Sequence, residues 1–479
     1  MRNLKRKTLL IAALSAALLS GCAVGPDYRA PAASSVPAAF KEAPAGWKTA
    51  QPSDAALRGD WWEMFGDALL SRLEREAASG NQTVAQYVSR MNRMEALVKE
   101  TGAAQLPSVS AGASGSRSRQ ARQTGNSGSL LGSLSWELDL WGKLRRQVAE
   151  QQALYEGAAA DLANARLSVQ ATLAKNYFQL RSLDERIALY EASIKAYEQN
   201  VRVMRNKYEA GAVLKSDLTQ AEQSLYQAKA SKSGLEASRA AAEHAIAVLL
   251  GKAPAELSIA RREAALPAVP EVPAGIPSRL LERRPDIASA ERSMAAANEE
   301  IGVAIAGYFP DLTLTGEAGY RAGSFSRFVN ASNFVWSLGL SASAPIFDAG
   351  KTSSRVAQAR ASYEESVASY RQKVLEAMQG VEDALSEARS LRAEIESSEA
   401  ASRASSETAR VKANQYREGM IDYTEVYAAE TARLTSAQNV LSLKSDALQN
   451  AVTLIEALGG GWQGLAKVGD GAARGGVEP

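Results

Sequence analysis

Asp217 and Glu425 are the residues whose type and spacing could do chemistry. They stand 208 positions apart, each six residues after a glycine (Gly211, Gly419) and directly after a hydroxyl residue (Ser216, Thr424). The chemistry open to such a pair is electrostatic. Ser216 and Thr424 are good helix N-caps, and an acid in the first turn suits the positive end of the helix dipole. Tyr208 and Tyr416 precede the glycines by three residues and are candidates for packing or interhelix hydrogen bonding. Nucleophilic or metal chemistry has little material. There is one His (His244), one Cys (Cys22), and no Gly-x-Ser-x-Gly elbow, phosphate loop or His-Glu-x-x-His. No cofactor and no enzyme activity are indicated. A formal net charge of +2 over 479 residues gives no argument for nucleic acid.

The elements that must position these residues come in two copies. Gly142-Lys143 matches Gly350-Lys351, Tyr208 to Gly211 matches Tyr416 to Gly419, and Leu250-Gly251 matches Leu458-Gly459, all at the same offset. An internal repeat constrains the whole fold. Gly142 and Gly350 mark strand-to-helix junctions, and Gly211 and Gly419 mark turns between a very long helix and a return helix. In the first copy a heptad seam runs through Leu144, Val148, Gln151, Tyr155, Ala158, Leu162, Ala165 and Val169. It continues through Leu173, Asn176, Leu180, Leu183 and Ile187 to Tyr208, with one four–four stutter at Val169–Leu173. At 1.5 Å per residue this helix spans roughly 100 Å, so the object is a tube, a rod or a bundle.

Ahead of each long helix the period changes to two. Leu130, Gly132, Leu134, Trp136 and Leu138 oppose Leu131, Ser133, Ser135 and Glu137. In the second copy Trp336, Leu338, Leu340 and Ala342 oppose Ser337, Gly339, Ser341 and Ser343. This alternation fits a half-buried strand of a soluble hairpin or a lipid-facing strand of a membrane barrel. Four such strands cannot close a barrel. If they cross a membrane the chain must oligomerise, two copies giving eight strands and three giving twelve.

The chain divides as follows: a signal peptide over 1–21; an N-terminal tether over 22–58; a first repeat over 59–251; a Pro-rich linker over 252–275; a second repeat over 276–459; and a Gly-rich tail over 460–479. The first repeat holds strands near 107–140, a long helix near 143–210 and a return helix near 215–250. The second holds a helix near 286–306, strands near 309–347, a long helix near 351–417 and a return helix near 424–458. Arg2, Lys5, Arg6 and Lys7 precede a short apolar run that is too short to span a membrane. It ends Leu19-Ser20-Gly21-Cys22, which resembles the bacterial lipobox. That resemblance implies cleavage before Cys22 and lipid on it, and Ala23 in place of Asp implies outer-membrane sorting.

The mature chain resembles the outer-membrane factor family of tripartite efflux systems, the TolC-like channels, and within it the lipoprotein subclass. The matching residues are Cys22 to Tyr28, Trp61-Trp62, Leu138 to Lys143, Leu280 to Ile287, Phe309-Pro310 and Pro345 to Lys351. The resemblance implies a mainly α fold with a membrane β-barrel. Three chains would give a homotrimeric twelve-stranded barrel continuous with a long periplasmic α-helical barrel. It also implies a periplasmic adaptor protein and an inner-membrane RND-type transporter as partners, with drugs or other small molecules as cargo. An exit for type I protein secretion and a non-pore coiled-coil lipoprotein scaffold are the alternatives. In the family the turns lie where the duct narrows, so Asp217 and Glu425 would form a ring of six carboxylates in a trimer, attracting cations. Family aspartates stand six or nine residues after the second-copy glycine; here those positions are Glu425 and Ala428, which puts one acidic ring in doubt.

Overall fold

The computed structural model describes residues 23–31, 37, 39–42, 59–120, 123–262, 265–272, 283–323 and 328–462. The signal sequence, Cys22, most of 32–58, Leu280 to Glu282 and the tail beyond 462 lie outside the described residues. A short 3-10 turn at Trp61–Phe65 leads to α1 (Ala68–Gly80), α2 (Gln82–Ala103), β1 (Ser108–Gln120) and β2 (Gln123–Leu138). Next come α3 (Lys143–Glu209) and α4 (Lys215–Leu249), and then α5 (Pro285–Ala306), β3 (Asp311–Ala322) and β4 (Phe334–Ser343). The order ends with α6 (Lys351–Arg417) and α7 (Tyr423–Ala457). The two long helices have 67 residues each and the two return helices 35 each. The chain forms two units. One holds Ser89–Ala160 and Asp286–Lys373 with the N-terminal residues, and the other holds Ser35–Val88, Asp161–Pro285 and Val374–Pro479.

In the first unit the strands make one antiparallel sheet in chain order, β1-β2-β3-β4. The register puts like with like. Val109 faces Leu134, Trp136 faces Leu314, Leu314 faces Leu340 and Gly316 faces Leu338, while Ser110 faces Ser133, Glu137 faces Thr313 and Ser341 faces Thr313. One face is therefore apolar and the other hydroxyl-rich, with Ser114–Ser129 and Ser116–Ser127 hydroxyl pairs at 2.7 Å. Aromatics mark both ends: Tyr320 packs edge-on to Phe334 at 5.7 Å, and Trp141 stacks on Phe309 at 4.8 Å. Barrel strands carry girdles of this kind at the two interfaces. Among the described residues no helix is long and apolar enough to cross a membrane.

Two local readings need correction. Strand β2 ends at Leu138, short of 140, because Asp139 takes the backbone N–H groups of Leu144 and Arg145 at 3.1 and 3.0 Å and so caps α3. In the second copy β4 ends at Ser343. The chain then breaks at Pro345, and Asp348 accepts from the N–H groups of Gly350 and Thr352 at 3.0 and 2.9 Å, capping α6. Between Trp61 and Ser79 the chain makes two elements, not one. Gly66 adopts φ 64° and Asp67 restarts the chain by accepting from Leu69 and Leu70.

Both junction glycines have left-handed backbones, Gly142 at φ 80° and Gly350 at φ 85°. They differ in surroundings. Ala23 lies against Gly142, and Val24 donates its N–H to the Trp141 carbonyl at 3.0 Å. One turn on, the buried Arg146 guanidinium donates to the carbonyls of Val24 (2.6 Å), Gly25 (3.1 Å) and Pro26 (3.2 Å) and to Glu299 (2.7 Å). Gly302 makes room for it, since a side chain there would overlap Arg146 Cδ. This clamp holds the first described residues to α3 and α5. Gly350 meets only Ser353 Oγ, and position 354 is a serine.

In the second unit the seam of α3 is the core stripe: Leu162, Ala165, Val169, Leu173, Leu180, Leu183, Ile187, Val201 and Met204 are all buried. An ionic network lies beside it. Asp184 accepts from Arg181 (2.9 Å) and Arg239 (2.6 Å), Arg181 bonds the Tyr177 hydroxyl (3.1 Å), and Tyr177 donates to Asp67 (2.7 Å). Arg239 and Arg181 also hold the carbonyls of Ile259 and Ala260, so buried charge fixes the start of the linker between the repeats.

Candidate functional site

The two helical turns, both in the second unit, hold the acids. Each long helix ends in the same way. Gly211 (φ 72°) and Gly419 (φ 74°) occupy the left-handed position just past the helix. The N–H groups of Gly211 and Ala212 return to Tyr208 and Lys207, and those of Gly419 and Met420 return to Tyr416 and Gln415, at 2.8–3.0 Å. This is the double bond of a Schellman turn, and glycine meets its positive φ without a Cβ penalty.

The caps of the return helices are not Ser216 and Thr424. Helix α4 starts at Lys215 with Leu214 as the cap, and α7 starts at Tyr423 with Asp422 as the cap, so both hydroxyl residues lie inside the first turn. At each start a backbone bond closes the turn, Asp217 N–H to the Leu214 carbonyl at 3.1 Å and Glu425 N–H to the Asp422 carbonyl at 3.2 Å. Thr424 donates instead to the Gln220 side chain at 3.3 Å, a link from α7 to α4.

The acids then part ways. The Asp217 carboxylate reaches back to the Leu214 N–H at 3.3 Å and satisfies one of the helix's free donors. No ion pair to it occurs among the described residues. The Glu425 carboxylate pairs with the Lys412 ammonium on α6. The residue matching Lys412 in the first copy is Met204, which is fully buried. The first copy ties its long and return helices by Arg205–Glu222 at 2.8 Å.

The tyrosines part ways too. Tyr208 is 40% exposed. Tyr416 packs edge-on to Tyr423 at 5.6 Å, directs its hydroxyl to Met204 Sδ at 3.4 Å and lies under the Lys207 ammonium at 5.1 Å. Burial, and then the charge of Asp217, push its hydroxyl pKa up. Beneath it Val201, Met204, Ala221, Leu225 and Tyr423 form a small core drawn from α3, α4 and α7. The Tyr423 hydroxyl, bonded by Asn200, is pushed up to about 12, chiefly by burial. No cluster of His, Cys, Asp and Glu suited to a metal occurs among the described residues. His244 is exposed on α4.

The spacing of Asp217 and Glu425 gave no sign of which cation meets which acid. Lys412, Met204, Asn200 and Gln220 are the residues that a reading of the turns alone overlooks. The signal available was the 208-residue alignment, which sets lysine against methionine.

Comparison with known proteins returns one family. The family model described as "Outer membrane efflux protein" matches residues 73–252 and 276–460. The antibiotic efflux pump outer membrane protein ArpC of Pseudomonas putida is 29% identical over 95% of this chain and 96% of its own. Nodulation protein T of Rhizobium leguminosarum bv. trifolii is 32% identical over 72% of this chain and 74% of its own. The solved outer-membrane channel OprN superposes with a TM-score of 0.84 at 31% identity, covering 92% of this chain and all of that one.

Proposed function

The chain belongs to the outer membrane efflux protein family, and from that premise we propose how it is assembled and worked. It is the outer-membrane exit duct of an efflux system, a transport component and not an enzyme in the sense its relatives are named. Three copies contribute four strands each to a twelve-stranded barrel. The observation that carries this reading is the sheet: it is apolar on one face, hydroxyl-rich on the other, and has two free edges, β1 and β4. An open edge leaves backbone groups unpaired in lipid, which the bilayer does not tolerate, so further copies must close it. Helices α3 and α6 begin in the sheet's unit and end in the other, each in one unbroken run, and the turns at Gly211 and Gly419 form the periplasmic mouth.

The duct is passive. A periplasmic adaptor and an inner-membrane transporter of RND type open the mouth, and antibiotics, the cargo that ArpC's name gives, or other small molecules pass through. Lipid on Cys22 anchors the chain beside the barrel. At the mouth Asp217 supplies a ring of three carboxylates, while Lys412 balances Glu425. Such a ring favours cations.

The test is bilayer conductance of the purified protein together with its mass. A mass of three chains with cation-preferring channels is expected, and Asp217→Asn should lower that preference. A one-chain mass without conductance would overturn the duct, whereas unchanged ion preference in Asp217→Asn would remove only the acidic ring.

A further inference from the structure

The free edges of the sheet carry enough information to fix how neighbouring copies join. Strands β1 and β4 are exposed along their whole described length, and Trp336, Leu338 and Leu340 on β4 are 73%, 69% and 63% exposed. Following the register straight across the sheet, Ser110 faces Ser133, Ser133 faces Glu317, and Glu317 faces Ser337. The next strand in this row is β1 of a neighbouring copy, antiparallel to β4 because directions alternate through the sheet.

Three constraints act on the residue that meets Ser337. Side chains alternate between faces, so only an even shift along β1 keeps hydroxyl beside hydroxyl and apolar beside apolar; an odd shift would turn the whole strand over. Strand length is the second constraint. Strand β4 has 10 residues and β1 spans Ser108–Gln120, so every residue of β4 finds a partner only if Ser337 meets a position from Ser114 to Arg117. With the first constraint this leaves Ser114 or Ser116. Closure is the third. For twelve strands about 4.8 Å apart, rising about 3.3 Å per residue, these joins give strand tilts of about 35° and about 46°. Both are close to the 35–45° or so at which membrane barrels close.

The side chains choose between them. Arg117 and Arg119 lie on the apolar face, in line with Val109 and Ala111. With Ser337 against Ser116, Trp336 meets Arg117 and Phe334 meets Arg119, so each guanidinium has an aromatic ring beside it. With Ser337 against Ser114, Trp336 meets Gly115 and Arg119 runs past the end of β4. A cation on a lipid-facing surface is costly without a partner, and an aromatic face supplies one.

We propose that β4 of one copy pairs with β1 of the next with Ser337 facing Ser116, which makes two arginine–aromatic pairs at every join. The proposal rests on the three-copy reading above. Opposed residues of an antiparallel pair lie about 4.5–5.5 Å apart at Cα, within reach of a disulfide. The full-length double variant Ser337→Cys/Ser116→Cys, oxidised with copper phenanthroline, should run as a covalent three-chain species that reduction collapses to one chain. Ser337→Cys/Ser114→Cys and Ser337→Cys/Ser118→Cys should yield several-fold less, and each single variant none. Cross-linking through Ser114 or Ser118 in preference to Ser116 overturns the register. So does the absence of cross-linking in all three pairs when the mass is that of three chains. A mass other than three chains overturns the assembly reading itself, and the join with it.

Discussion

The two copies of the repeat share the lengths of their long and return helices and differ in what they do with their charges. In the first copy charge is used at the junction, where buried Arg146 binds three backbone carbonyls and Glu299, and α3 becomes the docking post for the chain's first described residues. The matching Ser354 has no such task. In the second copy charge is used at the turn, where Lys412 meets Glu425 while the first copy buries Met204 and leaves Asp217 to its own backbone. Duplication fixes geometry, and the copies then differ in detail: the first secures the chain's first described residues at its junction, and the second neutralises its turn acid with a lysine where the first ties its helices by Arg205–Glu222 instead.

The largest test of that division is Arg146→Ala against Ser354→Ala. Removing the guanidinium leaves Glu299 and three carbonyls uncompensated and should cost about 3–5 kcal/mol, whereas the serine change should stay within about 0.5 kcal/mol. Chemical denaturation followed by circular dichroism reads both, and equal losses would erase the distinction between the junctions. Next come the junction glycines. Alanine at either must adopt a left-handed backbone at a cost of about 1–2 kcal/mol, but only Gly142→Ala also displaces Ala23, adding about 1–3 kcal/mol. If Gly350→Ala proved the worse of the two in the same measurement, Ala23 would not be held as described.

A third test is alkaline. The Tyr423 hydroxyl titrates at about 12, above the ordinary 10, because burial disfavours phenolate. Its contribution is fully present below pH 10 and is lost as the pH climbs through about 12, stability falling by about 1.4 kcal/mol for each pH step between the two. Tyr423→Phe should flatten that part of the stability profile. The matching position in the first copy is Lys215, so the first turn carries no counterpart of this phenol. The smallest expected effect on stability is at Lys412. Lys412→Met makes the second turn resemble the first and should cost less than about 1 kcal/mol, since the pair is largely exposed. The same change should raise cation preference in bilayer recordings, opposite in sign to Asp217→Asn. A lowered preference would mean that Glu425 does not face the ions.

The duplication and the strands were legible because both are written in periodicity. Serine against leucine at every second position survives as the two faces of the sheet, and the heptad seam reappears as the buried stripe of α3. The caps were misread because Leu214 and Asp422 cap through their backbone carbonyls, which a search for hydroxyl side chains overlooks. The strand ends shifted for the same kind of reason: Asp139 looks like one more alternating residue until its carboxylate is seen to take two helix donors. The contacts that tie distant elements together were not legible at all. Arg239 meets Asp184 from 55 residues away and Arg146 meets Glu299 from 153 away, and no local pattern distinguishes these arginines from those on a solvated face. The Lys412–Glu425 pair spans only 13 residues but crosses a turn, so helical spacing rules do not reveal it.

The equality of the two long helices at 67 residues, and of the two return helices at 35, has a consequence for how this chain can be altered. Paired staves of one height admit no private change. A single residue inserted into α3 alone would turn everything after it by about 100° and lift its turn by about 1.5 Å relative to its counterpart. It would carry the buried stripe off the core and Asp217 away from the level of Glu425. Lengthening in whole heptads, and in both staves together, is what keeps the stripe and the two turns in step, so the height of the turns is a quantity that the two halves of the gene must agree upon.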